Sequence, residues 1–331
     1  VCSSDLGQYI ALTESTLAVG SPGDDDNGTS SGSVYVFDNP FGVTGPSVAA
    51  GADGTYNAQF TQNGTVTDAT TILWTKVSGP GTVTFGSPSA ASTTIQMDTD
   101  GTYVLQLEGT DASSNTATDT ITIVWDTTAP TVNVGGDLAA GTSQSIDATS
   151  SDAGIMSYLW EHIAGTGTCS FTASTSEDTD VSCDTDDNHT LRLTVTDDAG
   201  NSQSDSLILT WDTTAPVVDA GSDSIQSAQF TQSGSTGDAT TILWTKSSGP
   251  GVVTFGSASS ASTTVSMDTD GVYVLQLSGT DAIGNNATDT ATITWDTTAP
   301  VVDAGSDVST GSAVTLAATA SDNIRSEEHT S

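Results

Sequence analysis

Aspartate is the residue through which this chain could do chemistry. The sequence holds 41 Asp and Glu against 4 Lys and Arg, a formal net charge of −37. The aspartates also recur at fixed places. Asp126, Asp212 and Asp296 each follow a Trp in the motif WDTTAP, and Asp219, Asp223, Asp303 and Asp307 come a few residues after it. Asp111, Asp197 and Asp281 open turns that end on Asn115, Asn201 and Asn285. Asp119, Asp205 and Asp289 are expected to face back towards those turns. Carboxylates gathered on loops are hard oxygen donors suited to Ca2+. Asp-Gly and Asp-Asn pairs also make good turns with no metal. Both readings stand at this point. The metal candidates in this set are Asp111, Asp197, Asp212, Asp219, Asp223, Asp281, Asp296 and Asp303. Ca2+ is the one candidate cofactor.

Nothing else in the sequence is arranged for catalysis, and the expectation is a protein that is not an enzyme. There is no GxSxG elbow, no HExxH and no phosphate loop. His162 and His189 occupy the positions that Lys76 and Tyr103 hold one period earlier, so His189 stands where a structural tyrosine stands elsewhere. Glu14, Glu108, Glu161 and Glu177 fall on no recurring position. Cys169 and Cys183 align with Val83 and Met97 of the preceding period and with Val253 and Met267 of the following one. Two core positions become Cys together, which predicts a Cys169–Cys183 disulfide, with a pair of buried thiols as the alternative. A disulfide requires an oxidising compartment and so supports export.

The charge excludes nucleic acid as a partner. No apolar run reaches the length of a membrane span, so no insertion is expected within this segment. The partner to expect is a cell-surface or matrix protein or a glycan, and the location is secreted or cell-surface. The two ends read differently from the rest. RSEEHTS at the C-terminus reverse-translates to AGATCGGAAGAGCACACGTCT, and the reverse complement of its first part encodes VCSSD, the N-terminal residues. Residues 1–6 and 325–331 therefore resemble translated sequencing adapter. They are set aside, and both natural termini are expected beyond the sequence given.

Positioning of the aspartates falls to a long repeat. Pro130, Pro216 and Pro300 close successive WDTTAP motifs at a period of about 85 residues. A second Trp recurs inside each period, at Trp74, Trp160 and Trp244. The segments TILWTKV, VTFG, TTIQMD, TYVLQLEGT and TDTITIVW alternate apolar and polar residues between Gly, Asp and Ser clusters. That pattern predicts six or seven short strands per period in an all-β, two-sheet sandwich of immunoglobulin type. Tyr103, Leu105 and Leu107 should face one way, as should Ile121, Ile123 and Trp125. Tyr103 and Tyr273 follow a DTDG turn where a tyrosine corner is expected. The expected division is repeats at 46–129, 130–215 and 216–299, a fourth beginning at 300–324, a linker at 39–45 and a separate piece at 7–38. The opening of the fourth resembles the second more than the third, so the duplicated unit is a pair of repeats.

With the TD-then-GN turns at Asp111–Asn115, Asp197–Asn201 and Asp281–Asn285, the repeats over 46–324 resemble PKD domains and related bacterial surface sandwiches. Residues 7–38, with LAVGSP, an Asp-rich loop and SGSVYVF, resemble one FG-GAP repeat of an integrin-type β-propeller. The first resemblance implies non-catalytic spacer modules of secreted or surface proteins. The second implies a Ca2+ loop, whose start falls on Asp24 and Asp26. Together they imply an extracellular stalk or adhesion segment, open to stiffening by Ca2+. The alternative is an accessory or carbohydrate-binding module of a secreted hydrolase whose catalytic domain lies outside the fragment.

Overall fold

The computed structural model describes residues 45–154 and 156–324, and the backbone of the strands Tyr9–Leu12, Thr16–Ser21 and Ser33–Asp38. The adapter-like ends, the loop with Asp24 and Asp26, and most of the expected linker lie outside the described residues. Among the described residues every regular element is a strand. The chain divides into two compact units. The first holds residues 1–130 with 152–156 and 196–202; the second holds 131–151, 157–195 and 203–331.

In the first unit the three N-terminal strands form an antiparallel meander in chain order. The sandwich after them pairs a four-stranded sheet, in the order Gly54–Tyr56, Thr116–Trp125, Gly101–Thr110, Thr71–Ser78, with a three-stranded sheet, Phe60–Asn63, Ser92–Met97, Val83–Phe85. Gly54–Tyr56 runs parallel to Thr116–Trp125, and the other neighbours are antiparallel. Strict alternation along Gly101–Thr110 sends Tyr103, Leu105 and Leu107 inward, all fully buried. Across the ladder Tyr103 faces Ile123 and Leu105 faces Ile121. Ile95 and Met97 from the smaller sheet join the same core with Trp74 and Trp125. Full burial of each such aliphatic side chain contributes about 1.5–3 kcal/mol.

The second unit repeats the pattern twice. Its sheets are Leu138–Ala140, Ser202–Trp211, Asp187–Thr196, Ser157–Ala164 with Gln144–Ile146, Thr179–Cys183, Cys169–Phe171, then Ser224–Gln226, Asn286–Trp295, Gly271–Thr280, Thr241–Ser248 with Phe230–Ser233, Ser262–Met267, Val253–Phe255. After these a two-stranded ribbon, Val301–Asp303 with Thr319–Ser321, is exposed along its length. All six Trp are buried at the two recurring positions. Phe85, Phe171 and Phe255 stack on Trp74, Trp160 and Trp244 with ring centroids 6.2, 5.9 and 6.2 Å apart. The indole N–H of Trp74 donates to Ala91 O and that of Trp160 to Glu177 O, so neither ring leaves a buried donor unpaired.

The aspartates before each final strand's apolar run, Asp119, Asp205 and Asp289, face elsewhere than the sequence suggested. Instead of turning back to the Asp111-type turns, they accept the backbone N–H of Ala50, Val134 and Ala220. A carboxylate there satisfies an amide that no ladder partner reaches and ties the start of each repeat to its last strand.

Candidate metal centre

The WDTTAP motif is folded by a carboxylate from the DTDG turn. The backbone N–H and hydroxyl of Thr127 donate to Asp100 Oδ1 at 3.0 and 2.9 Å, and the Thr128 hydroxyl donates to Oδ2 at 2.8 Å. Asp186 holds Thr213 and Thr214 in the same way, and Asp270 holds Thr297 and Thr298. Burial is the largest single influence on the Asp100 carboxyl and raises its pKa. The Thr128 and Thr127 donors together outweigh it and hold the group below its ordinary value. For Asp186 the Thr214 hydroxyl is the leading cause of a lowered pKa, and for Asp270 the Thr298 hydroxyl is. One Asp therefore fixes the two threonines that precede each repeat's closing Ala-Pro.

The Asp-to-Asn turns are also self-contained. Asp111 Oδ1 accepts the N–H of Ser113 and Asn115, and its Oδ2 accepts the Asn115 amide. Asp281 takes three backbone N–H groups, of Ile283, Gly284 and Asn285, on Oδ1 alone. Asn115, first among the causes, lowers the Asp111 pKa; for Asp281 burial is the largest influence and opposes a net lowering made by Asn285, Gly284 and Ile283. The Asn residues reach further. Asn201 Nδ2 donates to Asp126 O at 2.9 Å, within the first unit, and Asn285 Nδ2 donates to Asp212 O at 3.0 Å, within the second.

One group of carboxylates converges. Asp126, Asp152 and Asp197 bring one oxygen each to within 4.8 Å of one another. Asp197 is buried, with its oxygens on Asn201 N and Nδ2. Asp152 Oδ1 accepts the Ala153 N–H, while its Oδ2 is buried with no hydrogen-bond partner. Burial pushes the Asp126 carboxyl up, the Thr128 N–H pulls it down, and Asp152, Asp197 and Asp100 add to the rise. Beside the group lies an open cavity of about 820 Å³ lined by Asp100, Trp125, Asp126, Asp152 and Asp198. No cationic side chain among the described residues answers this charge. Of the three described Lys and Arg residues, Arg192 pairs with Glu161 at 2.7 Å, and Lys76 and Lys246 donate to backbone carbonyls of their own hairpins. Three converging carboxylates, one of which carries an orphaned oxygen, form a donor set that a hard oxygen-seeking cation fits.

The other aspartates singled out from the sequence stay apart from this group; most cap their own loops, and Asp223 reaches the last strand of its repeat. Asp212 accepts Thr214 N–H, Asp219 accepts Gly221 N–H, Asp223 accepts Thr292 N–H, Asp296 accepts Thr298 N–H and Asp303 accepts Gly305 N–H. Asp152 was missed by the sequence reading. Its signal was an Asp that recurs at Asp68, Asp152, Asp238 and Asp322, with the stretch from it to the core Trp two residues longer in the second repeat than in the first and third.

The second repeat departs from its neighbours at one more place. In the first and third, a Lys lies over the corner tyrosine: Lys76 Nζ is 5.5 Å from the Tyr103 ring and Lys246 Nζ 6.0 Å from the Tyr273 ring. Tyr103 and Tyr273 donate their hydroxyls to Thr99 O and Thr269 O at 2.6 Å. His189 takes that role in the second repeat, with Nε2 2.9 Å from Thr185 O and Nδ1 3.1 Å from His162 Nε2. A carbonyl can only accept, so His189 Nε2 carries a proton and donates it to Thr185 O, with Nδ1 facing His162 Nε2. Cys169 faces Cys183 across the ladder, and the two are joined by a disulfide with Cα atoms 4.1 Å apart.

Comparison with known proteins agrees with this architecture. A PKD-domain family model matches residues 50–124, 138–210 and 222–294, and that of the FG-GAP repeat matches 3–37. No curated protein sequence is significantly similar to the chain. Solved structures that resemble it include protocadherin gammaB7 EC3-6, at 15% identity over 84% of each chain with a TM-score of 0.35. Human CDH23 EC21-23 is 12% identical over 76% of this chain and 100% of its own, with a TM-score of 0.32. The PKD domain of the KIAA 1837 protein is 21% identical over 24% of this chain and 83% of its own, with a TM-score of 0.22. Similarity at these scores carries no argument of its own. PKD repeats in tandem are extracellular-type modules of structural or adhesive segments, and no catalytic domain is indicated. Three matches that together span most of the sequence, with the sheets to go with them, make this chain a member of the PKD-domain family, preceded by an FG-GAP repeat.

Proposed function

We propose that this chain is a non-catalytic extracellular stalk or adhesion segment of a larger secreted or surface-anchored protein, stiffened by Ca2+. Its repeats divide at 46–129, 130–215 and 216–299, with a fourth beginning at 300 and a propeller blade at 7–38. Its partner is a cell-surface or matrix protein or a glycan. The observation that carries the calcium part is the convergence of Asp126, Asp152 and Asp197, one of which, Asp152, also has an oxygen buried without a hydrogen-bond donor. Asp126 follows the last strand of the first repeat, whereas Asp152 and Asp197 lie on loops of the second, all inside the first compact unit. A cation held by the three joins loops that would otherwise repel. Ca2+ supplies charge neutralisation and six to eight coordination positions. Asp126, Asp152 and Asp197 supply carboxylate oxygens, and water fills the rest.

Calorimetric titration of the chelator-treated chain with Ca2+, beside an Asp152→Asn variant, tests the assignment. The expected result is saturable binding and a rise in melting temperature with Ca2+, both lost in the variant. A ligand at one hundred times its Kd adds about 2.7 kcal/mol, which moves the melting point of a small domain by roughly 10–20 °C. An equal response in both proteins would remove Asp152 from the site, and no response in either would leave the acidic loops as turns and solubilising surface.

A further inference from the structure

The second repeat carries four substitutions that meet at one place. Where the first and third have Lys, Val, Met and Tyr, it has His162, Cys169, Cys183 and His189. Their structural equivalence is direct, because Val83 faces Met97, Val253 faces Met267 and Cys169 faces Cys183 in the same register. The Lys-over-Tyr pairs occupy the place of the two His rings, whose centroids are 5.0 Å apart. The disulfide alone accounts for two of the four changes and leaves the histidines unexplained. One ring nitrogen from each His and Cys169 Sγ lie within 4.8 Å of one another.

We propose that His162, Cys169, Cys183 and His189 form a Cys2His2 site for Zn2+ that exists while the disulfide is open. Tetrahedral Zn2+, with bonds near 2.0–2.1 Å to nitrogen and 2.3 Å to sulfur, places two nitrogens about 3.4 Å apart. His162 Nε2 and His189 Nδ1 are at 3.1 Å already. Metal-bound histidine characteristically donates its other ring N–H to a backbone carbonyl or carboxylate, and His189 Nε2 does so to Thr185 O. That bond fixes the tautomer whose free lone pair is on Nδ1. Gly165, at φ +116°, has no Cβ to cover that nitrogen; one built there would lie 2.6 Å from it.

Opening the bond supplies what the oxidised pair lacks, because a thiolate, and not a disulfide sulfur, is the metal ligand. A dithiol or phosphine reductant gives two electrons, the S–S bond breaks, and two protons complete the thiols. Zn2+ then displaces both protons and takes two thiolates and two neutral imidazoles. Reoxidation by a disulfide-class oxidant removes two electrons, re-forms the S–S bond and releases Zn2+. Metal and disulfide are thus alternative cross-links of the same two strands, one for each redox state.

The test uses the whole chain with Cys2→Ser throughout, so that the remaining thiol does not contribute. The protein is reduced with a phosphine, freed of reductant under anaerobic conditions and titrated with Co2+, then Zn2+. One equivalent of Co2+ should give tetrahedral visible bands and a near-ultraviolet sulfur-to-cobalt charge transfer, and Zn2+ should bleach both. His162→Lys with His189→Tyr installs the residues of the neighbouring repeats, which the fold already accommodates. That double variant should melt as before yet bind Zn2+ at least 100-fold more weakly. The oxidised chain should show no charge-transfer band. Absence of the bands in the reduced chain would overturn the proposal, as would equal Zn2+ affinity in the double variant or in the oxidised protein.

Discussion

At the scale of single residues, carboxylates in this chain act first as acceptors for the backbone. Asp98, Asp184 and Asp268 sit on hairpin amides and hydroxyls, with Thr82, Thr168 and Val252 their leading donors, and all three have lowered pKa values. Asp100, Asp111, Asp186, Asp187, Asp270 and Asp281 are lowered too. A carboxyl whose folded pKa is depressed stabilises the fold above its unfolded value, and that stability is lost as pH falls through the folded pKa. Denaturant melts of the chelated chain should therefore show steady stability above about pH 4 and progressive loss below it. Asp126 has the opposite sign: its raised pKa means that its contribution is greatest below about pH 4 and falls as pH rises through the folded value. An Asp126→Asn variant should gain stability over the wild type at neutral pH without Ca2+ and lose the Ca2+ response. Tyr273→Phe removes the hydroxyl's bond to Thr269 O and the acceptor of the Gly251 N–H, and should cost about 1–3 kcal/mol, read as a shift in the midpoint of the same melts.

At the scale of elements, most of the sheet was legible because a strand with one buried face repeats with period two. Tyr103, Leu105 and Leu107 inward, with Val104 and Gln106 half-buried between them, is that rule expressed residue by residue. The recurrence of Trp at two places named the core, and WDTTAP named the closing strand. The loops were less legible, since their contacts depend on neighbours remote in sequence. Asp100 and Thr128 are linked by hydrogen bonds that neither motif announces. Asp152 recurs with Asp68, Asp238 and Asp322 at the repeat period, and its convergence with Asp126 and Asp197 depends on residues remote in sequence. The cysteines were legible as a pair because two facing core positions changed together, but their proximity to both histidines needed coordinates. Cys169→Val with Cys183→Met, the pair that the other repeats use, should leave the fold intact. It should lower stability by at most about 3 kcal/mol, the loop-closure contribution for 14 residues less what the restored packing returns. Trp244→Ala, in contrast, empties a buried site and should lower stability by about 3–5 kcal/mol.

At the scale of the whole molecule, the charge of −37 with only 4 basic residues makes cation binding the natural way to bring acidic loops together. Pro130, Pro216 and Pro300 fix φ where one repeat gives way to the next and restrict the residue before them. In the proposed role, Ca2+ on Asp126, Asp152 and Asp197 would tie the first repeat to the loops 152–156 and 196–202. The second and third repeats meet a different situation: Asp212 and Asp281 are bridged by Asn285, and no third carboxylate converges on them among the described residues. Response to Ca2+ should thus follow the pairing of repeats and not their number. Small-angle scattering on the whole chain, with Ca2+ and with chelator at matched ionic strength, tests the stiffened-spacer account most directly. The account predicts a larger and more sharply bounded maximum dimension with Ca2+, a change that Asp152→Asn abolishes. Identical scattering in the two conditions would contradict it.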